Sequence, residues 1–383
     1  VIRPTRKDTR VVVVTLVLAT VSTIFPGFLI GALSVQVSEE FGVSEATYGW
    51  GLGTFFLAAT AGSVVMGRLV QRIGPRNQIS LAVCISASAQ LVLASAARSF
   101  GLVVLLLGVC GFVNAANQTA VNLALTRAEI RRLGLAVAMK QSAMPSSSML
   151  AGIAVPVLAL TVGWRWAYVV GAGLALLAVI AVRAAIAPDE VPSRADSAAL
   201  VSSSQALILA AVSGGFLAFS AGSLNAWVVG SGVDAGLSPG LAGLMLSLGA
   251  ASGITLRLYG GLRADAMSQA PFRVAGFTAL IGAVGMVVLG SRVPGVHVVA
   301  TLVAFGGGWV WPVFTNYGVV RTNPSAAGHA TGISQMGVYV GVFVAPLITG
   351  VVIEHSGYEA MWLMVAASTV IGSLIALRIA DEF

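Results

Sequence analysis

The sequence predicts an all-α membrane protein whose twelve transmembrane helices form two pseudo-symmetric six-helix bundles. Three observations carry that expectation. Hydrophobic residues make up 57% of the 383 positions and charged residues only 9%, whereas a soluble domain has roughly 25% charged residues to cover its surface. The apolar residues fall in runs that match the roughly 20 residues needed to cross a bilayer as a helix. The two halves of the chain also align with each other at a shift of 194 residues.

The runs cover residues 11–37, 46–70, 77–97, 100–126, 134–161, 165–187, 205–230, 240–261, 272–291, 296–321, 328–353 and 358–379. The first follows a basic tail, VIRPTRKDTR. It is longer than the roughly 7–15 apolar residues of a signal peptide, so it is expected to remain as a helix. The chain opens on Val1 rather than Met, which reads as a trimmed start. Glycine, at 45 residues, suits helices that approach closely in lipid. Cys84 and Cys110 fall inside spans and read as small apolar residues, not a disulfide.

The longest polar gap, PDEVPSRADSAALVSSS, follows the sixth span. It divides the chain into an N-terminal bundle (1–187), a linker (188–204) and a C-terminal bundle (205–383). With the N-terminus inside, sixteen of the 21 basic residues fall in inner loops and tails, three (Arg98, Arg165 and Arg292) outside, and two within spans. The positive-inside rule then puts both termini in the cytoplasm of a cell expected to carry this protein in its cytoplasmic membrane.

Repeat pairs at the 194-residue shift include Phe25/Phe219, Gly42/Gly236, Ser44/Ser238, Arg98/Arg292, Asn122/Asn316, Gln141/Gln335 and Gly163/Gly357. Parallel repeats of this kind mark secondary transporters, with the substrate site near the midplane between the repeats. Other classes fit less well. The net charge of +7 is spread thinly and forms no basic face, so no nucleic-acid partner is expected. His297, His329 and His355 are scattered at span ends, and with Lys7 and Lys140 the only lysines there is no phosphate-binding G-x-x-x-x-G-K-S/T loop. No cofactor, metal or enzymatic activity is expected. A monomer in a lipid bilayer is.

After the second span the chain reads GRLVQRIGPR, residues 67–76. This resembles the G-x-L-x-D-R-x-G-x-R signature of the major facilitator superfamily, matching at Gly67, Leu69, Arg72, Gly74 and Arg76, with Gln71 at the acidic position. The equivalent loop, GGLRADAMSQ, keeps Gly261 and Asp265 and has Ala266 in place of arginine. The resemblance implies that Gly67, Arg72, Arg76, Gly261 and Asp265 belong to a cytoplasmic gate that braces one conformation and releases another. The competing reading makes these arginines plain positive-inside anchors. The G-P-x-x-G-G pattern of drug/proton antiporters is missing around Pro145, and the fourth span lacks their buried arginine. MKQSAMP followed by GWRWAY is similar to the cyanate and nitroimidazole transporter-like branch, which handles small, often anionic compounds.

Every one of the 14 acidic residues maps to a loop, a tail or a span end, while Lys140 and Arg257 lie within spans. A buried cation is costly, about 2.5–3.5 kcal/mol at a helix centre, unless water or an anion offsets it. The expected solute is therefore a small anion, moved by alternating access with proton coupling or by exchange. The alternative is a proton-coupled efflux pump for drugs or metabolites. Lys140 either faces the cavity with Gln141, Ser147 and Ser148 or snorkels to the interface. Arg257 is read with the gate, with anchoring or substrate contact as alternatives. Asn114, Gln118 and Asn122 recur every four residues on one helical face with Asn117 beside them, either as ligands or as glue between helices. Phe25 and Phe219 are read as substrate clamps or core packing. Trp311, Gln335 and Tyr339 complete the expected binding set, and Pro312 with the glycines before it should loosen the tenth span.

Overall fold

The computed structural model describes residues 9–127, 133–187, 204–264, 266–267, 270–323 and 327–383. Among these every regular element is helical. Seven helices precede the linker: α1 (Thr9–Ala32), α2 (Ser34–Phe41), α3 (Glu45–Ile73), α4 (Pro75–Ala96), α5 (Phe100–Arg127), α6 (Leu133–Ala154) and α7 (Arg165–Ala185). Six follow it: α8 (Ser204–Asp234), α9 (Pro239–Ala264), α10 (Pro271–Leu289), α11 (Pro294–Gly308), α12 (Trp311–Thr322) and α13 (Ala327–Arg378). Residues 188–203 of the expected linker lie outside the described residues.

Ten segments among the described residues are long and apolar enough to cross a bilayer. α3 adds 29 residues whose charges, Glu45, Arg68 and Arg72, sit toward its ends. α13 divides at Gly357, whose φ of 79° no helix accommodates, into two crossing segments. Twelve crossings result. Their outer surface carries side chains such as Leu105, Ile180 and Val284, each more than 60% exposed, a surface suited to lipid and not to water.

The repeat is visible in the backbone. α3 and α9 start at 45 and 239, α5 and α11 at 100 and 294, α6 and α13 at 133 and 327, each 194 residues apart. Left-handed glycines recur at the same shift, Gly42 with Gly236 and Gly163 with Gly357. Ser44 and Ser238 each accept a first-turn N–H, from Thr47 and Leu241, at 3.4 Å, capping the N-termini of α3 and α9 alike.

Three spans depart from simple rods. The first breaks at Leu33, where α2 takes over. The fifth ends in a π-helical turn, Val155–Ala159, where Pro156 supplies no N–H to the ladder. The tenth, expected as one helix, splits at Trp309 and Val310 into α11 and α12.

Helix ends alternate between two faces, one carrying Glu40, Asp234 and Arg292 and the other Arg72 and Arg183. Near the Glu40 face the two sets of helices meet through small residues. A Cβ on Gly31 of α1 would overlap the Asn225 carbonyl of α8, and one on Gly49 of α3 the Pro346 carbonyl of α13. Gly152 of α6 likewise lies against Gly243 and Ser247 of α9, where Ser247 Oγ donates to the Met149 carbonyl at 2.9 Å. From Val21 to Ser34 every residue of the first span is buried. Toward the Arg72 face the helices part: Met336 is 63% and Val340 53% exposed on α13, and Arg72 is exposed on α3. The molecule is closed at the Glu40 face and open toward the Arg72 face.

Ion pairs brace the loops of the Glu40 face. Arg165 grips both oxygens of Glu40 at 2.7 and 2.8 Å and donates to the Ala97 carbonyl, while the Trp164 indole N–H adds a 2.6 Å bond to Glu40. Asp234, the repeat mate of Glu40, is held instead by Arg292 at 2.7 Å.

Two outcomes follow from this packing. Gly31→Val should force α1 from α8 and open the Glu40 face, which spin labels at exposed Glu39 and Ser356 would register as a longer distance; an unchanged distance would contradict the closure described. The Arg165 hydrogen bond, with help from Trp164, holds the Glu40 carboxyl below its ordinary pKa despite some desolvation. A group depressed on folding contributes stability above its unfolded pKa and loses it as pH falls through the folded value. Glu40→Gln should therefore flatten the acid limb of a melting temperature against pH curve below about pH 5.

Candidate functional site

A cavity lies between the two sets of helices, open toward the Arg72 face. Phe28 of α1 and Phe56 of α3 form one wall, and Gln141 and Met144 of α6 the next. Across from them, Ala218, Ala221 and Gly222 of α8 present almost no side chain. Trp309 caps α11, Trp311, Pro312 and Asn316 come from α12, and Gln335, Val338, Tyr339 and Val342 from α13. Three repeat pairs, Phe28/Gly222, Gln141/Gln335 and Met144/Val338, face each other here, so the cavity sits on the internal pseudo-symmetry axis. Its free volume is about 50 Å³.

The break between α11 and α12 organises the back wall. Pro312 cannot donate to the Gly308 carbonyl, and the Val313 N–H bonds to the Val310 carbonyl at 3.2 Å instead of reaching Trp309. The Trp309 carbonyl, at the negative end of α11, is left for another donor. Arg257 of α9, fully buried, supplies it: Nε donates at 2.8 Å and Nη2 donates to the same oxygen. Its Nη1 donates to the Gln141 carbonyl of α6. The guanidinium carbon lies 4.9 Å from the Trp309 ring centroid, a cation–π contact, and the other ring neighbour of Trp309 in the cavity is Phe28, T-shaped at 5.8 Å. Arg257 thus does not snorkel to an interface. It joins three helices just behind the cavity.

Four expected binding residues come together: Gln141, Trp311, Gln335 and Tyr339 all line the cavity. Gln335 Nε2 donates to Asn316 Oδ1 at 2.9 Å, and Asn316 Nδ2 to the Pro312 carbonyl at 2.7 Å, which fixes that wall. The Trp311 indole N–H is buried without an acceptor. Lys140 is half-buried, not part of the cavity wall itself. It lies four residues before Met144, one helical turn toward the Arg72 face on the same side of α6. No acidic side chain or other hydrogen-bond partner meets it among the described residues.

The other expected ligands are placed elsewhere. Asn114 Oδ1 accepts from Thr23 at 3.1 Å, and Asn117 Nδ2 donates to Thr23 Oγ1 and the Ala19 carbonyl; both tie α5 to α1. Gln118 is buried with its Oε1 unpartnered, also outside the cavity wall. Phe25 packs against Gly171 of α7, where a Cβ would strike its ring, and Phe219 is half-buried against the central core. Neither ring lines the cavity. Phe28 and Phe56, which do line the cavity, carry no sequence signal that separates them from the other phenylalanines.

Of the expected gate residues, Arg76 donates from Nη2 to the Arg183 carbonyl at 2.8 Å, capping the end of α7. Gly67 and Gly261 lie in the last turns of α3 and α9, and Arg72 is exposed. Asp265 lies outside the described residues.

Arg257→Ala should destabilise the protein by about 2–5 kcal/mol, because two buried carbonyls lose their donor and a large side chain is emptied from the core. Thermal unfolding in detergent measures it, and an unchanged melting temperature would show the guanidinium to be dispensable.

No curated protein matches the sequence. The model of the Major Facilitator Superfamily matches residues 15–333, well over half of the chain. With twelve crossings, a backbone repeat and a cavity between the repeats, the chain belongs to the Major Facilitator Superfamily, whose members are secondary transporters of small solutes across a lipid bilayer.

Proposed function

We propose that this transporter moves a small anionic solute by alternating access, coupled to protons or to exchange. The observation that carries the reading is Lys140, a cation at the cavity mouth with no carboxylate beside it among the described residues. The cavity wall contains no acid, and every described acidic residue lies at a helix end or beyond it. An uncompensated ammonium near hydrocarbon is costly, and a bound anion is the partner that relieves the cost. Arg257 behind Trp309 adds positive potential without being consumed by a carboxylate. The absence of a carboxylate in the cavity weighs against a cation exporter driven by a buried acid.

We read the Arg72 face as cytoplasmic, since it gathers most of the basic residues. On that reading the conformation is inward-open, and the glycine contacts near Glu40 form the closed outer side. The chain is read as a monomer in the cytoplasmic membrane, with α1–α7 and α8–α13 as the two bundles that move. Lys140→Gln should reduce anion uptake into proteoliposomes by at least about tenfold, the loss of a charge-assisted contact of 1.5–3 kcal/mol, while the melting temperature of the free protein stays unchanged or rises. Full uptake in the Lys140→Gln protein would refute the anionic reading.

A further inference from the structure

We infer that the solute is a planar aromatic carboxylate, a claim that rests on the anionic reading above and adds a ring to it. Five aromatic side chains, four from helices and Trp309 from the break between α11 and α12, converge on the cavity: Phe28, Phe56, Trp309, Trp311 and Tyr339. Phe28 is satisfied by its neighbours, T-shaped to Trp309 and 6.3 Å from Phe56. Trp311 and Tyr339 on the other side meet no ring among the described residues; Trp311 is buried among mostly aliphatic side chains, so only its cavity-facing edge and the half-buried Tyr339 ring are presented to a ligand.

The broken symmetry indicates the shape of that ligand. At the repeat position of Phe28 stands Gly222, against which α13 packs closely at Ala345 and Val342, so only one side of the cavity carries a phenyl ring. A planar ring inserted there stacks or meets edges with several aromatics at once, the arrangement aromatic pairs prefer. The buried Trp311 N–H without an acceptor is the second, independent mark of a ligand, since native proteins seldom leave such a donor unpaired. One carboxylate oxygen would accept from it. The Gln141 amide stands on the adjoining wall, and the Lys140 ammonium lies one turn toward the mouth. With about 50 Å³ free, the ring must displace Met144, the most adaptable side chain in the wall.

Thermal shift and calorimetry on the full-length purified protein test this with benzoate, cyclohexanecarboxylate, acetate and benzyl alcohol. Benzoate should bind tightest, about two- to tenfold ahead of cyclohexanecarboxylate, which has the charge and size but no flat π-face. Trp311→Phe keeps a ring and removes the donor; it should weaken benzoate about three- to tenfold while the variant keeps its helical circular dichroism, its melting temperature falling only by the smaller ring's loss of packing in a buried site. Equal binding of benzoate and cyclohexanecarboxylate, acetate binding as tightly as either, or an undiminished benzoate affinity in Trp311→Phe would overturn the aromatic inference and leave the anionic one standing. Benzyl alcohol matching benzoate, or no binding by any of the four, would overturn both.

Discussion

A guanidinium taken into hydrocarbon without a carboxylate must be neutralised by dipoles, and an unbroken helix has no free carbonyl to offer. The protein meets that constraint by breaking the tenth span. Pro312 and the retracted Val313 N–H release the Trp309 carbonyl at the end of α11, and Arg257 takes it with two nitrogens while the third reaches the Gln141 carbonyl. The same arrangement holds the Trp309 ring against the cation and presents it to Phe28. The aromatic back wall descends from that displaced hydrogen bond, and the link from α9 to α6 from a second proline: Pro145, four residues after Gln141, offers the Gln141 carbonyl no N–H and leaves it to Arg257.

The polar ties are distributed unevenly. Glu40 with Arg165, Asp234 with Arg292, and Gln78 with the Ala116 carbonyl and Thr119 all join helices on the same side of the linker. Contacts across the middle near the Glu40 face are mostly glycine against backbone, with few hydrogen bonds such as the Ala46 N–H to Glu354 at 3.3 Å. Dry contacts between small residues gain dispersion energy when closed and leave few unpaired polar groups when opened. Rigid-body alternation requires strong ties within each set of helices and contact between them that can be released; polar bonds that cross, such as Arg257 to the Gln141 carbonyl and Ser148 to Asn225 Oδ1, are the ones such a motion would have to break.

Much of this was legible in the sequence, for reasons that also mark its limits. Spans and repeat follow from hydropathy and from glycine and serine at loop positions, because backbone turns demand those residues whatever surrounds them. GGGWVWP announced the break in the tenth span through Pro312. Gln141 and Gln335 could be found because polar residues stand out on apolar helices. Rotation about the axis could not be read for α1, which is apolar all round and has no stripe to orient it, so the repeat pairing with Phe219 singled out Phe25 while nothing in the sequence pointed to Phe28. Asn114 and Asn117 offered the same chemistry to a ligand and to a neighbouring helix; Thr23 claimed them. The partners of Arg257 are backbone carbonyls left without a donor by Pro312 and Pro145; the prolines mark where a free carbonyl can arise but not which side chain takes it.

The two cations within the spans differ in a way their residue types make intelligible. Arg257 presents a rigid planar fork, always charged and weakly hydrated, suited to holding fixed acceptors on two helices at once, and both acceptors are in place. Lysine is a compact point charge on a flexible stem, poor at bridging fixed carbonyls and able to follow a mobile ligand from the mouth inward. The repeat strengthens the contrast, since the position matching Lys140 is Ser334 and that serine bonds to its own helix at the Thr331 carbonyl. A charge that exists in one repeat only, meets no partner among the described residues and stands one turn from the cavity wall is not one of the ties that hold the architecture together, and there it differs from Arg257.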